Sequence, residues 1–193
     1  VFPTFFDLLD ILPGVIEESH YSKDTQSDYV GALCTRVKSL TNGIYGSVFC
    51  AEDALSDAEL FDCNVVVDLS RVGSMETKSL LMGILVMKLQ EYRMCGSEMN
   101  SRLRHVTVLE EAHNLLRKTS AEQSQEGANL QGKSVEMLAN AIAEMRTYGE
   151  GFIIADQAPG LLDMSVIRNT NTKIILRLPD EEDRKLVGKS AAL

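Results

Sequence analysis

The stretch HVTVLEEAHNLL, residues 105–116, carries the two features on which the fold prediction depends. Its first part, VTVLEE at 106–111, is an apolar, β-branched run that ends in two adjacent acids. A run without polar alternation is typical of a strand buried on both faces, as in a parallel sheet. Ala112 and His113 favour a helix directly afterwards, which would let the chain leave the strand at Glu111 and bring both acids to one site.

Three further apolar runs of the same kind predict three further strands. They are NVVVDLS at 64–70, GFIIADQ at 151–157 and TKIILRL at 172–178. Strands that alternate with helices indicate an α/β fold with a mostly parallel sheet and helices on both faces, here in one domain of 193 residues. In such a sheet, ligands bind beyond the carboxyl ends of the strands.

Apolar residues at helical spacing place the helices between these strands. A first helix is expected over about residues 3–12, with a break or a kink at Pro13-Gly14. The other helices are expected at about 29–40, 74–93, 135–145 and 179–187.

Composition limits the classes of partner. The net charge of −9 repels polyanions over most of the surface, so DNA binding would need a local basic patch or loops from several copies. No run reaches the roughly 18 uncharged apolar residues that cross a bilayer, so no membrane span is expected. The four cysteines form no C-x-x-C pair, which favours reduced cysteines in a cytoplasmic protein.

The octapeptide GANLQGKS, Gly127 to Ser134, matches the phosphate-loop pattern G-x-x-x-x-G-K-[ST]. A phosphate loop joins a buried strand to a helix, but the preceding KTSAEQSQE is polar. We therefore interpret the match as coincidental. Residues 118–131 are predicted to form a polar loop, with Gly132 and Ser134 at the start of a helix.

The acids at the end of VTVLEE suit phosphoryl chemistry. Glu110 is predicted to contact Mg²⁺ through a coordinated water, and Glu111 to orient or polarise the attacking water. Gln157, which ends the strand 151–157, could hydrogen-bond a γ-phosphate or that water. The alternatives are an exposed acidic strand end and an amide that caps the turn before Pro159.

Basic residues near the strand ends offer less specific signals. Arg146, at the end of a helix, could act as an arginine finger on a neighbouring subunit, or it could complement the helix dipole. Arg177, at the end of the last predicted strand, is the alternative finger. Arg117 and Lys118 form the one basic pair beside the predicted site that could contact nucleic acid, but a solvated helix end is the favoured interpretation.

The remaining polar candidates have structural explanations. Asp68 could lie near a nucleotide, but capping of the turn at Ser70 is the favoured interpretation. None of the three histidines has a second histidine at helical spacing, so none is assigned to metal binding or catalysis. These histidines are His20, His105 and His113.

Four segments together resemble one known family. They are LEEAH at 109–113, MRTYGEGF at 145–152, ADQAP at 155–159 and NTNTKIILRLPDEED at 169–183. Over about residues 64–187 the chain resembles the HerA-like branch of the HerA/FtsK superfamily. That branch includes DNA-translocating ATPases of bacteria and archaea and the ATPases of conjugative or type IV secretion systems.

The resemblance implies a RecA-like P-loop NTPase core, a homohexamer, and hydrolysis of ATP with Mg²⁺ coupled to movement along DNA. A nuclease or a secretion channel is the implied partner. By the same resemblance Glu110 is the Walker B acid, Glu111 the catalytic base, Gln157 the sensor and Arg146 the finger in trans, with Arg177 as the alternative.

A Walker A strand and loop should precede this region, and nothing before Asn64 resembles one. We therefore expect an internal fragment: residues 1–63 as a helical connecting segment and 64–193 as the Walker B and sensor core, with negligible ATPase activity in isolation. One alternative is a non-catalytic RecA-like assembly or regulatory module. Another is a Mg²⁺-dependent phosphoester hydrolase that also uses Asp68 and Asp156.

Overall fold

The structure is a computed structural model, and it describes residues 3–51, 53, 55–96, 98–118 and 130–191. The chain forms two compact units, Val1–Leu55 and Ser56–Leu193. This division lies close to the boundary drawn at residues 63 and 64 from the sequence. The assignment of both parts to one ATPase domain stays a prediction.

The first unit is helical. It contains α1 (Phe5–Glu17), α2 (Lys23–Leu40) and α3 (Gly43–Phe49), and α1 packs against α2. Thr4 and Asp7 form a capping box at the start of α1, in which each side chain satisfies the other residue's backbone N–H. The end of α2 at Leu40 confirms the predicted end of the helix expected at about 29–40, although α2 begins earlier, at Lys23.

The predicted break at Pro13-Gly14 is wrong, because α1 continues through both residues to Glu17. Proline removes one intrahelical hydrogen bond and crowds the preceding turn, which costs about 3 kcal/mol in a helix interior. Tertiary packing can outweigh that cost. Here Ile16, in the last turn, is buried, and α1 lies against α2.

The second unit is a mixed α/β structure. Its helices are α4 (Asp57–Phe61), α5 (Met75–Gly96), α6 (Leu130–Met145), α7 (Met164–Asn169) and α8 (Glu181–Ser190). Two parallel strands, β1 (His105–Glu110) and β2 (Glu150–Ala155), are paired from His105 with Glu150 to Glu110 with Ala155. The α/β class and the parallel orientation are confirmed by this pairing.

The predicted strands at 64–70 and 172–178 do not form, and the sheet among the described residues has two strands. Their apolar side chains are largely uncovered: Val66 is 93% exposed, Ile174 88% and Leu176 84%. A β-branched run favours a strand only when a neighbouring strand accepts its backbone hydrogen bonds and covers its faces. No such neighbour pairs with either run in the part of the chain that the structure describes.

The remaining helix predictions are mostly confirmed. The Ser74 hydroxyl accepts a hydrogen bond from the Thr77 backbone N–H, and α5 follows it. The last helix begins at Glu181 with Asp180 as its cap, two residues after the predicted start at Pro179. Of the octapeptide 127–134, the last five residues belong to α6, and the first three lie outside the described residues, as does most of the predicted polar loop.

The core of the second unit gathers α5, α6, α7, β1 and the turn after β1. Burying one such side chain contributes roughly 1.5–3 kcal/mol. The buried members are Phe61, Met82, Val86, Leu89, Leu109, Ala112, Leu115, Leu116, Leu138, Ala139, Met145, Leu162, Val166 and Ile167. This core therefore holds the carboxyl end of β1 and the following turn on a packed base.

Gly149 sets the start of β2. It has the left-handed φ of +83°, and a Cβ atom there would lie 2.5 Å from the Arg102 carbonyl oxygen. Its own carbonyl accepts from the Arg104 N–H at 2.8 Å. Only glycine satisfies both conditions without strain, so this residue fixes where the two strands come together.

The structure also bears on the predictions about the cysteines and about membrane-spanning helices. All four cysteines are free. Among the residues that the structure describes, no helix combines the length and apolarity needed to cross a membrane.

Candidate functional site

A groove of about 1200 Å³ lies along β1 and reaches the carboxyl ends of both strands. Segment 63–70 and helix α5 supply other parts of its wall. Glu110, Glu111, Gln157 and Asp68 all line it. The structure thus brings the two acids, the glutamine and the first candidate aspartate into one cleft, at the position where ligands bind in parallel sheets.

Glu111 leaves the strand in an unusual conformation. Glu110 is the last residue of β1, Glu111 is left-handed with φ 48° and ψ 47°, and residues 112–114 make one 3-10 turn. The prediction that the chain turns at Glu111 is confirmed, although the expected helix is only this turn. A left-handed residue with a side chain costs about 1–2 kcal/mol, and such strain concentrates at functional sites.

Asn114 holds the Glu111 side chain. Its backbone N–H donates to the Glu111 carbonyl at 2.9 Å, and its Nδ2 donates to Glu111 Oε2 at 3.3 Å. Asn114 also lines the groove, and its Oδ1 is buried without a hydrogen-bond partner among the described residues. A buried acceptor left unpaired costs about 1–3 kcal/mol, so this oxygen is suited to accept a hydrogen bond from a bound water or ligand.

Asp156 connects the ends of the two strands. Its Oδ2 accepts from the His113 backbone N–H at 2.8 Å and lies 2.9 Å from His113 Nδ1, while Oδ1 accepts from the Ala158 N–H at 2.8 Å. The Asp156 side chain is only 3% exposed. Since these donors engage both oxygens, Asp156 has little capacity left for the additional metal-ligand role in a phosphoester hydrolase.

Asp68 has the capping role that the sequence favours. Its Oδ1 accepts from the Ser70 N–H at 2.8 Å. This backbone hydrogen bond lowers the pKa of Asp68, with smaller contributions from the Ser70 side chain and from the charge of Lys78. Lys78 is the one lysine or arginine among the described residues that line the groove.

The other basic candidates lie outside the groove lining. Arg146 is exposed and precedes β2, so the length of that strand, roughly 17 Å, separates it from Gln157. Arg177 is exposed in a segment without regular secondary structure. Arg117 forms an isolated antiparallel bridge with Leu162, and Lys118 is exposed next to it. A role for either arginine finger therefore concerns another subunit and stays a prediction.

The opposite ends of the strands carry a buried charge network. Glu150, with a side chain that is 0% exposed, accepts from Arg93 Nε at 2.9 Å and from the Thr107 hydroxyl at 2.7 Å. His105 also contacts this carboxylate, with its Nδ1 at 2.8 Å from Glu150 Oε1. Burial disfavours the Arg93 charge, but hydrogen bonds to Asp62 and Glu150 outweigh burial and raise its pKa. The network fastens α5 to both strands.

Asp62 extends this network to the surface. It accepts from the Tyr92 hydroxyl at 2.5 Å and from Arg93 Nη1 at 2.7 Å. The hydrogen bond from Tyr92, followed by that from Arg93, lowers the pKa of Asp62 below its ordinary 3.8. The carboxylate therefore stabilises the fold above about pH 4, and this contribution is lost as the pH falls through the lower folded-state pKa.

We expect Asp62→Asn to lower the free energy of unfolding at pH 7 by about 0.5 kcal/mol, because half of the side chain is exposed and solvent screens the pair. The difference from wild type should vanish as the pH is lowered through the folded-state pKa. Urea unfolding at pH 7 and at several acidic pH values measures it. Glu98→Gln, at an exposed acid of the same unit, serves as the control, and a difference that persists in acid would contradict the assignment.

Mg²⁺ prefers oxygen ligands, and the end of the groove presents oxygens from Glu110, Glu111 and Gln157. Within the described ranges, no three His, Cys, Asp or Glu side chains are placed to hold a metal ion together. The donors present fit a metal that is held mainly by its substrate and touched by one carboxylate through water.

Comparisons with protein-family models, curated proteins and solved structures found no match to this chain.

Sequence reasoning missed one residue and one contact that shape this region, namely Lys78 and the contact between Asp156 and His113. Asp156 and His113 are separated by 43 positions, and their pairing depends on the strand register, which no short-range pattern specifies. Lys78 was not singled out, although its place in the first turn of α5, soon after the segment that ends in Asp68, was a usable signal.

Proposed function

We propose that this chain is the Walker B and sensor part of a cytoplasmic, HerA-like ATPase that moves along DNA. The observation that carries the proposal is the common groove of Glu110, Glu111 and Gln157 beyond the carboxyl ends of two adjacent parallel strands. Acids and an amide at adjoining strand ends suit a phosphoryl-transfer site, where positioning and electrostatics supply most of the catalysis.

Each residue has a distinct proposed task. Glu111 accepts a proton from, or orients, the water that attacks the γ-phosphate, while Asn114 limits the freedom of its carboxylate. Glu110 contacts Mg²⁺ through a coordinated water. When bound, Mg²⁺ offsets the charge that develops on the phosphoryl oxygens. Gln157 hydrogen-bonds the γ-phosphate or the attacking water and so distinguishes ATP from ADP.

The proposal includes a RecA-like core and a homohexamer. Arg146 is exposed and lies before the start of β2, whereas Gln157 lies beyond its end; this favours action on a neighbouring subunit, with Arg177 as the alternative. A ring of subunits also reconciles DNA binding with the net charge of −9, since loops from several copies can combine into one basic channel. The nuclease or secretion channel would dock on that ring.

The described residues supply acids and a sensor but few phosphate contacts. Lys78 is the single lysine or arginine lining the groove within the described ranges, and no strand-loop-helix of the Walker A type is described beside it. We therefore assign the phosphate cradle to another part of a longer protein. The same scarcity of cations supports the second candidate, a RecA-like assembly or regulatory module without catalysis.

Comparing ATP turnover by the full-length protein and by residues 1–193 tests the proposal. We expect the full-length protein to hydrolyse ATP with Mg²⁺, and DNA to stimulate this hydrolysis. Residues 1–193 alone should hydrolyse ATP no faster than buffer without protein. A full-length protein that neither hydrolyses nor binds ATP would favour the regulatory module. Robust turnover by residues 1–193 alone would contradict the assignment of the phosphate cradle.

A further inference from the structure

The 3-10 turn at residues 112–114 is held from two sides. On one side Ala112, which is fully buried, and Leu116 anchor it in the core. On the other side Asp156, beyond the end of β2, accepts the His113 backbone N–H and contacts the His113 ring. The two residues after Glu111, Ala112 and His113, are therefore held in place. The residue before it, Glu110, is held by strand pairing with Ala155.

Residue 111 joins two segments of backbone that are each held by other contacts. Strand pairing fixes the backbone up to residue 110, and Asp156 fixes the backbone N–H of residue 113. The left-handed φ of 48° at Glu111 joins the two. A glutamate free of constraint would leave this conformation for the right-handed or extended regions, so a surrounding contact must enforce it.

We propose that Asp156 is a positioning residue that, through His113, holds Glu111 in its left-handed conformation. The Asp156 carboxylate is suited to this role because it is almost completely buried and accepts two backbone N–H groups, from residues 113 and 158. Charge-assisted hydrogen bonds of this kind are short and about twice as strong as neutral ones. Asp156 thereby ties the end of β2 to the turn that aims the Glu111 carboxylate into the groove.

The conformational part of this inference stands on the geometry alone, and its catalytic consequence rests on the proposed function. If Glu111 prepares the attacking water, releasing the turn would lower kcat while ATP binding remains, because a displacement of about 1 Å at a catalytic group costs roughly 100-fold in rate. Asp156 touches neither the nucleotide nor the water in this scheme.

A double-mutant cycle on the chain itself tests the conformational part. Glu111→Gly and Glu111→Ala both remove the carboxylate, but only glycine is unstrained at this φ. We expect the folding equilibrium constant of the Gly variant to exceed that of the Ala variant about fivefold, measured by urea unfolding. In an Asp156→Ala background, or in Asp156→Asn if the alanine variant does not fold, the ratio should fall to one or below.

Asp163→Ala is the matched control: the Asp163 side chain caps α7 through Ser165, and its backbone N–H, which alanine retains, donates to the Leu116 carbonyl. There the fivefold ratio should persist. A ratio that stays fivefold without the Asp156 carboxylate would overturn the proposal and assign the conformation to the buried Ala112 and Leu116. In the full-length protein, Asp156→Asn should lower kcat and leave the KM for ATP within twofold. A Gly-to-Ala ratio that falls to one, together with unaltered ATP turnover in Glu111→Gln, would retain the positioning role of Asp156 and reject Glu111 as the catalytic base.

Discussion

Glu111→Gln in the full-length protein is expected to lower ATP turnover at least 100-fold while leaving ATP affinity within about threefold. Proton transfer by a positioned carboxylate contributes roughly 10²–10⁴-fold, and the amide cannot accept the proton. Glutamine has nearly the same size and inherits the same left-handed backbone, so the strain at residue 111 is unchanged. The expected loss therefore reports chemistry rather than folding.

Steady-state ATP hydrolysis and equilibrium binding of a fluorescent ATP analogue measure the two quantities. Glu136→Gln supplies the matched control, because Glu136 is an exposed acid on α6 outside the groove that holds Glu111. Turnover of Glu111→Gln within threefold of wild type would eliminate Glu111 as the base. Loss of binding and turnover together would point to a structural role instead.

Glu150→Ala is expected to lower the free energy of unfolding of the second unit by about 3–5 kcal/mol. The Glu150 carboxylate is fully buried, and its removal leaves the Arg93 guanidinium, itself only 8% exposed, without one of its two carboxylate partners. Breaking a buried ion pair on one side costs this much because the remaining charge stays desolvated. His105 and Thr107 lose a hydrogen-bond partner in the same variant.

Urea unfolding monitored by circular dichroism measures this change. Lys185→Ala, which breaks an exposed pair with Glu181 on α8, should leave the free energy of unfolding close to the wild-type value. The double variant Arg93→Met with Glu150→Leu should recover much of the loss, since a buried pair can be replaced by apolar residues at little cost. A single Glu150→Ala variant within 1 kcal/mol of wild type would show that the network contributes little.

Local pattern was enough for part of the fold. The apolar runs predicted as strands at 106–111 and 151–157 form β1 and β2, each shifted by about one residue, because each finds the other as a parallel partner. The runs at 64–70 and 172–178 have the same local character, but among the residues that the structure describes neither has a paired neighbour. The hydrophobic pattern of a segment indicates which of its side chains can be buried. Strand pairing depends instead on which other segments lie beside it and on the register between them. The break expected at Pro13 failed for the same reason, since packing of α1 outweighed a local penalty.

The candidate site divides in a similar way. Glu110, Glu111 and Gln157 could be placed together because parallel strands bring their carboxyl ends to one edge of a sheet. The contact between Asp156 and His113 could not be predicted, because it depends on the pairing of Glu110 with Ala155. The strand predicted at 151–157 begins one residue after Glu150, and no neighbouring residue indicates that Glu150 pairs with the distant Arg93.

The uncovered runs at 64–70 and 172–178 bear on how purified protein behaves. Short β-branched windows without proline stack into cross-β aggregates when they are concentrated. Repulsion from the net charge of −9 opposes this at neutral pH, and it fades near the isoelectric point of about 4.9 or in high salt. Concentrated stocks should therefore be kept near neutral pH at low ionic strength.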